Sequence, residues 1–344
     1  MNLKKRTGVL LVNVGTPDSP EVPDVRKYLR EFLSDPRVID ISAVGRFLLL
    51  NFIILPFRTK KSSHAYKMIW KKEGSPLLIH GKILAENVGK ILGDQYEVEF
   101  CMRYQNPSIE FAIQKLIQKN IDEIIVFPLF PQYSSAATGS VFEKVGKICN
   151  SKWNIPKLKY ITYFYNDKRF LESFYEIAKP QINHFRADFV LFSYHGLPER
   201  HVKKSDTSSL QNHCLTKNNC CESIQVENKY CYRAQCYETT RSLVKLLQLT
   251  DDNHMTSFQS RLGRDPWIKP YTDLILPDLV SKGAKRIAVM CPAFVADCLE
   301  TLEEIQMRAK EQWLSLGGED LVLVTSLNSH AKWSETVADI IREA

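Results

Sequence analysis

The sequence predicts an α/β protein of two doubly wound lobes, each built on a parallel sheet. Three observations carry that reading. Apolar runs of strand length recur along the chain, each followed by a segment of helical period. The runs are continuously hydrophobic rather than alternating, as in strands covered on both faces. The strand–helix alternation also occurs twice over, once in each half.

In order, "GVLLVNVG" (Gly8–Gly15) leads into the helical "DVRKYLREFLS", "EVEFCMRY" (Glu97–Tyr104) into "PSIEFAIQKLIQK", and "DEIIVFPLFP" (Asp122–Pro131) into a helix from about Ala137. In the second half "LKYITYFY", "ADFVLFSYHG", "MTSFQS" and "RIAVMCP" read as strands. "KRFLESFYEIAKPQI", "YETTRSLVKLL", "YTDLILPDLV" and "DCLETLEEIQMRAKEQW" read as helices, and "EDLVLVTSL" with "SETVADIIREA" closes the chain. The expected division is a lobe of residues 1–160, joined by the terminal helix 330–344, and a lobe of residues 161–329. Two segments break the pattern. "VGRFLLLNFIILPFRTKK" (44–61) is strongly apolar and then basic; "TSSLQNHCLTKNNCCESIQVENKYC" (207–231) is polar, without either period. A loop that long inside an α/β lobe is either functional or disordered.

The bulk composition is that of an ordinary globular protein, 44% hydrophobic and 25% charged. The start of the chain lacks the cleavage pattern of a signal peptide, and no run reaches the roughly 18 apolar residues of a spanning helix. A cytoplasmic protein is expected, in which clustered thiols point to metal rather than disulfides. A net charge of +7 admits an anionic partner or a membrane surface, and no nucleic-acid signature accompanies it.

Ligands of such folds sit at the carboxyl ends of the strands. No GxGxxG or Walker A motif follows any strand, which disfavours dinucleotide and ATP chemistry. His195 ends an apolar strand in "FSYHGLPERH", where it is either a base or metal ligand or a strand cap. Asp297, Glu300 and Glu304 are spaced to share one face of a helix, as a proton or cation path or as a solvated acidic face; the residues alone favour the latter. Arg103 and Tyr104 end one strand. Tyr133, Ser134 and Thr138 follow another, and Arg261, Arg264 and Trp267 a third. A histidine, carboxylates, aromatics and cations together suit a flat, apolar, dianionic ligand better than a phosphate.

"LLVNVGTPDSP", "FLSDPRV", "FPQYSSAATGS", "SYHGLPERHV", "FQSRLGRDPWIKPYTD" and "CPAFVADCLETLEEI" resemble the ferrochelatases, in order from about residue 7 to residue 330. The resemblance implies two Rossmann-like lobes (the chelatase fold) with a porphyrin cleft between them. It implies insertion of ferrous iron into protoporphyrin IX, the terminal step of haem synthesis, with coproporphyrin III as the alternative substrate. By matching motif, His195 and Glu300 become catalytic, and both are implied to meet the substrate iron together with Asp297 and Glu304. Arg103, Tyr104, Tyr133, Ser134, Arg58 and Trp267 become porphyrin contacts. The apolar 44–61 segment becomes a lip that touches the membrane, giving a peripheral location on its inner face. A non-catalytic iron–sulfur or haem-binding protein, or a cobalt or nickel chelatase, would share the fold; the presence of both His195 and Glu300 speaks for the enzyme.

The stretch His213–Cys236 holds five of the chain's nine cysteines. In the resembling family a helix start like "YRAQC" follows "SYHGLP" almost directly, so Cys236 matches an ordinary family cysteine and about 25 residues before it form an insertion. Its Cys214, Cys220, Cys221 and Cys231 are a full ligand set for a [2Fe–2S] cluster or a structural zinc. Animal members take cluster ligands from a C-terminal extension; here no cysteine follows Cys298. The C-x5-C-C-x9-C spacing suits two bridged irons better than zinc, with His213 beside Cys214 either a substitute ligand or, the favoured reading, a bystander.

Overall fold

The computed structural model describes residues 6–263 and 265–344. It holds two four-stranded, wholly parallel sheets. The first is ordered β2-β1-β3-β4, from β1 (Thr7–Gly15), β2 (Tyr96–Tyr104), β3 (Glu123–Pro128) and β4 (Lys157–Tyr160). The second, β6-β5-β7-β8, comprises β5 (Phe189–His195), β6 (His254–Gln259), β7 (Arg286–Met290) and β8 (Asp320–Leu323). The shared strand order makes the chain a topological repeat. "LKYITYFY", read above among the second-half strands but straddling the expected boundary at residue 160, closes the first sheet: Lys157–Tyr160 pairs with Glu123–Val126. Its two lysines reach the Glu123 carboxylate, a cross-strand pairing no local pattern encodes.

The chain divides into two compact units. One contains residues 6–130, 135–162 and 328–344; the other contains 131–134 and 163–327, with residue 264 outside the described set. In the first, β1 and β3 are buried along most of their length, and Leu10, Val12, Ile124 and Val126 pack on the helices Ile109–Gln118 and Ser140–Asn150. Such continuous burial is what unbroken apolar runs allow. Ser75 and Ser108 cap the helices Pro76–Leu92 and Ile109–Gln118 by accepting the amides of Leu78 and Phe111. Gly81 lets Pro76–Leu92 lie flat on β2, because a Cβ there would come within 2.1 Å of the Phe100 ring. The terminal helix Ala331–Glu343 packs on Pro76–Leu92, and Arg342 donates to the Ile91 carbonyl. In the second unit Leu191, Ile287, Val289 and Trp313 centre the core.

The 44–61 segment is helical throughout: Ala43–Leu48, a π-helical stretch Leu49–Ile54, then Leu55–Ile69. No helix among the described residues is long and apolar enough to cross a membrane.

Candidate active site

In the second unit, β5 carries His195 at its carboxyl end. The His195 Nδ1 lies 2.6 Å from the Gly196 carbonyl oxygen. A carbonyl only accepts, so Nδ1 carries a proton, and in the neutral ring the lone pair falls on Nε2. The turn that follows must be glycine: a Cβ on Gly196 would meet the Gln259 carbonyl at 2.9 Å and the Trp267 ring at 3.1 Å. Trp267 and Phe294 stand 6.3 Å from the imidazole, centre to centre, and Trp267 is pinned by its indole N–H on the Leu262 carbonyl at 2.9 Å. Apolar rings on two sides and one basic nitrogen make a proton acceptor in a sheltered setting. Arg261 is tied to Asp273 at 2.7 Å, and Arg264 lies outside the described residues.

The three carboxylates do not lie on one α-helical face, as their spacing predicts. The helix begins at Leu299 with Cys298 as its cap, so Asp297 precedes it, and from Leu302 to Ala309 it widens into a π-helix. A π-helix spends more residues per turn and often marks a functional site. Asp297 is buried and accepts bonds from Thr301 Oγ1 (3.2 Å) and Ser326 N–H (3.3 Å). Glu300 is half-buried, and its main-chain carbonyl takes the Gln259 amide at 2.7 Å. Glu304 accepts the Ser260 N–H at 2.9 Å, the Ser260 hydroxyl and Gln259 Nε2 at 3.3 Å. Gln259, opposite His195 in the β5–β6 register, thereby joins the histidine's strand to the acidic helix. No local sequence signal marked it.

In the first unit, Arg103 and Tyr104 are members of a buried polar knot. One oxygen of Asp35 accepts Arg103 (2.7 Å), the Tyr104 hydroxyl (2.9 Å) and the Ser140 hydroxyl (2.5 Å). Burial pushes the Tyr104 phenol well up. Arg37 adds bonds to Glu143 (2.6 Å) and Ser135 (2.8 Å). Asp35, Arg37, Ser135 and Ser140 lie in "FLSDPRV" and "FPQYSSAATGS", where sequence reasoning had no reason to single them out. Arg58 is exposed on the 44–61 segment, which also carries Val44, Phe47, Phe52 and Phe57, 72%, 60%, 65% and 80% exposed. Large apolar side chains left open to solvent on one short segment are the kind of surface that meets a partner or a bilayer.

The cysteine segment folds into a compact loop with Cys214, Cys220, Cys221 and Cys231 all buried. The sulfurs of Cys220 and Cys221 stand 3.8 Å apart, and Cys231 has Cys221 and Cys214 as neighbours. The contact to Cys214 leads the causes that push Cys231 up to about 12. Among the described residues no three His, Cys, Asp or Glu groups already surround a common metal position. The four sulfurs are gathered in one loop but not arranged as a cage. The Leu215 N–H points at the Cys220 sulfur (3.3 Å) and the Arg233 guanidinium at Cys221 (3.1 Å). Asp206 accepts the N–H groups of Ser208, His213 and Cys214, each at 2.8 Å. Burial works against its charge, but these bonds outweigh it and bring the carboxyl down to about 2. Asn228 bonds the Cys220 and Ser223 carbonyls at 2.8 Å. Both ring nitrogens of His213 are buried without a hydrogen-bond partner among the described residues.

The family profile for ferrochelatase matches residues 6–344. The chain is 48% identical to the ferrochelatase of Coxiella burnetii (strain Dugway 5J108-111) over 98% of this chain and 94% of that protein. It is also 48% identical to that of Legionella pneumophila (strain Lens) over 98% and 99%. The chain belongs to the ferrochelatase family. It is a metal-chelating enzyme of haem biosynthesis. Among solved structures, SirB from Bacillus subtilis with Fe3+ aligns with a TM-score of 0.53 at 12% identity, covering 98% of this chain and 95% of its own. CbiX, the terminal enzyme for siroheme biosynthesis in denitrifying bacteria, aligns at 0.51 and 11% identity over 98% and 99%. At such identities the likeness shows the fold alone, and that fold is the chelatase α/β arrangement of paired parallel sheets.

Proposed function

We propose that this ferrochelatase inserts ferrous iron into protoporphyrin IX at His195. The observation that carries the reading is the Nδ1 bond to the Gly196 carbonyl, which reserves Nε2 as a base at the end of β5. A free-base porphyrin holds two N–H protons in its plane, and both must leave as Fe²⁺ enters. His195 Nε2 takes a pyrrole proton, and Glu300 is its partner in proton removal. Asp297 and Glu304 hand protons or ferrous iron along. Trp267, Tyr133 and Ser134 contact the macrocycle, with Arg103 and Tyr104 positioned by Asp35. Remote contacts hold the ring bent, turning a pyrrole lone pair out of plane at the expense of binding energy. The exposed apolar segment draws the protein to the inner face of the cell membrane, where a hydrophobic porphyrin partitions, and Arg58 meets a propionate there. That surface favours protoporphyrin IX over coproporphyrin III, which carries two more propionates. Steady-state kcat/KM for both porphyrins tests this directly: protoporphyrin should win by at least about tenfold. A preference for coproporphyrin would overturn the assignment.

Cys214, Cys220, Cys221 and Cys231 are the proposed holders of a [2Fe–2S] cluster, with zinc the competing group. The four buried sulfurs, the N–H donors aimed at two of them and the orphaned His213 imidazole fit such a group. When bound it supplies a structural clip and a one-electron redox centre. About two irons and two sulfides per chain, with visible bands that bleach on reduction, are expected; a colourless protein with one zinc would replace the cluster by a clip.

A further inference from the structure

The cysteine loop returns to the fold through Lys229, Tyr230 and Cys231, and Cys231 caps the helix Tyr232–Leu247. That limb is fastened to the Tyr133–Ser134 turn at two points. The Gln235 side chain, wholly buried, accepts the Tyr133 N–H at 2.7 Å through Oε1 and donates to the Lys229 carbonyl at 2.6 Å through Nε2. The Tyr133 ring packs on Tyr230, centroids 5.2 Å apart at 56°. Beside them, Gln132 donates to Thr239 at 3.0 Å, and Thr239 bonds the Tyr165 carbonyl at 3.0 Å. One neutral amide thus holds the turn with one end and the cysteine limb with the other. Moving the limb without moving the turn would leave a desolvated N–H or carbonyl unpaired.

We propose that Gln235 and Tyr230 are positioning residues that tie the Tyr133–Ser134 turn to the cysteine limb, so that closing the four thiols on their metal sets porphyrin affinity. The inference rests on the reading that this turn meets the porphyrin and that the cysteines hold metal. It assigns the loop a role in substrate binding and none in the proton chemistry. A metal held by Cys214, Cys220, Cys221 and Cys231 would bind them as thiolates, their protons passing to solvent, and would fix Cys231, hence Tyr230 and Lys229, hence Tyr133.

The test is a double-mutant cycle of Tyr230→Leu and Cys220→Ser, read as porphyrin Kd by fluorescence quenching with metal and sulfide counted on each protein. Each single variant should weaken porphyrin binding about fivefold, and the pair no more than the weaker single, because both cut one link. Tyr230→Leu should keep its full metal content, and Tyr230→Phe should bind porphyrin as the native protein does. If Tyr230→Leu does not fold, Gln235→Met replaces it in the same cycle. Native affinity in a metal-replete Tyr230→Leu, or a double variant weakened by the full product of about 25-fold, would overturn the link and leave the metal reading standing. A native protein that binds no metal would overturn the metal reading, and that is seen in the metal count alone.

Discussion

At the residue scale the chemistry rests on a few side chains whose roles follow from what they touch. Asp206 is the clearest electrostatic case. Its carboxyl is held at about 2 against an ordinary value of 3.8, so its contribution is complete above about pH 4 and is lost as the pH falls through about 2. Acid should therefore loosen the cysteine loop within that window, and Asp206→Asn should release it at neutral pH. The expected cost is about 2 kcal/mol, the usual worth of bonds to a charged acceptor, read as a lowered urea midpoint with faster alkylation of Cys214. Unchanged alkylation would show that the backbone N–H bonds do not hold the loop. In the first unit Asp35 gathers three side-chain bonds. Asp35→Asn leaves Arg103 and Tyr104 without their shared anion, and porphyrin KM should rise about tenfold while kcat holds; an equal fall in both kcat and kcat/KM would place this knot in the chemical step instead. His195 and the four cysteines stood out in the sequence as candidates because each stands at a strand end or in a segment without period, whereas Glu300, on a helix, stood out only through its matching motif. Asp35, Gln259 and Gln235 did not stand out. The side-chain partners of Asp35 lie 68, 69 and 105 residues away, the acidic-helix partners of Gln259 lie 41 and 45 away and the turn partner of Gln235 lies 102 away. A single sequence gives no sign of pairings at such range.

At the element scale the strands were readable and the joints were not. The eight strands among the described residues all fall on segments read as strands, though β4 and β6 are not continuous apolar runs. Strand β4 belongs to the first sheet because register against Glu123–Val126 decides membership and hydrophobicity does not. The acidic helix was read at an α-helical period, and the π-helical widening from Leu302 to Ala309 changes which residues share a face. Gly81 shows how closely one helix is fitted to its strand. Gly81→Ala would press a methyl group into the Phe100 ring and should cost about 1–3 kcal/mol, seen as a lower Tm; an unchanged Tm would mean the ring swings aside freely. The exposed apolar segment makes a further prediction. Phe47→Ser with Phe57→Ser should abolish sedimentation with anionic vesicles while leaving kcat on detergent-solubilised porphyrin intact. Continued sedimentation would remove this segment as the membrane contact.

At the scale of the whole molecule, the chain is a repeat of one four-strand topology whose two copies have been put to different use. The first unit binds its polar residues into an internal knot and exposes an apolar face. The second carries the candidate base, the acidic helix and the cysteine loop. The most direct measurement is anaerobic metallation of protoporphyrin IX by the purified protein and by its His195→Ala variant, with porphyrin binding recorded on the same samples. The native chain should convert porphyrin and ferrous iron to haem, and the variant should bind porphyrin with similar affinity yet lose metallation by about 10²- to 10⁴-fold. A variant that metallates at the native rate would contradict the role of His195 as the base.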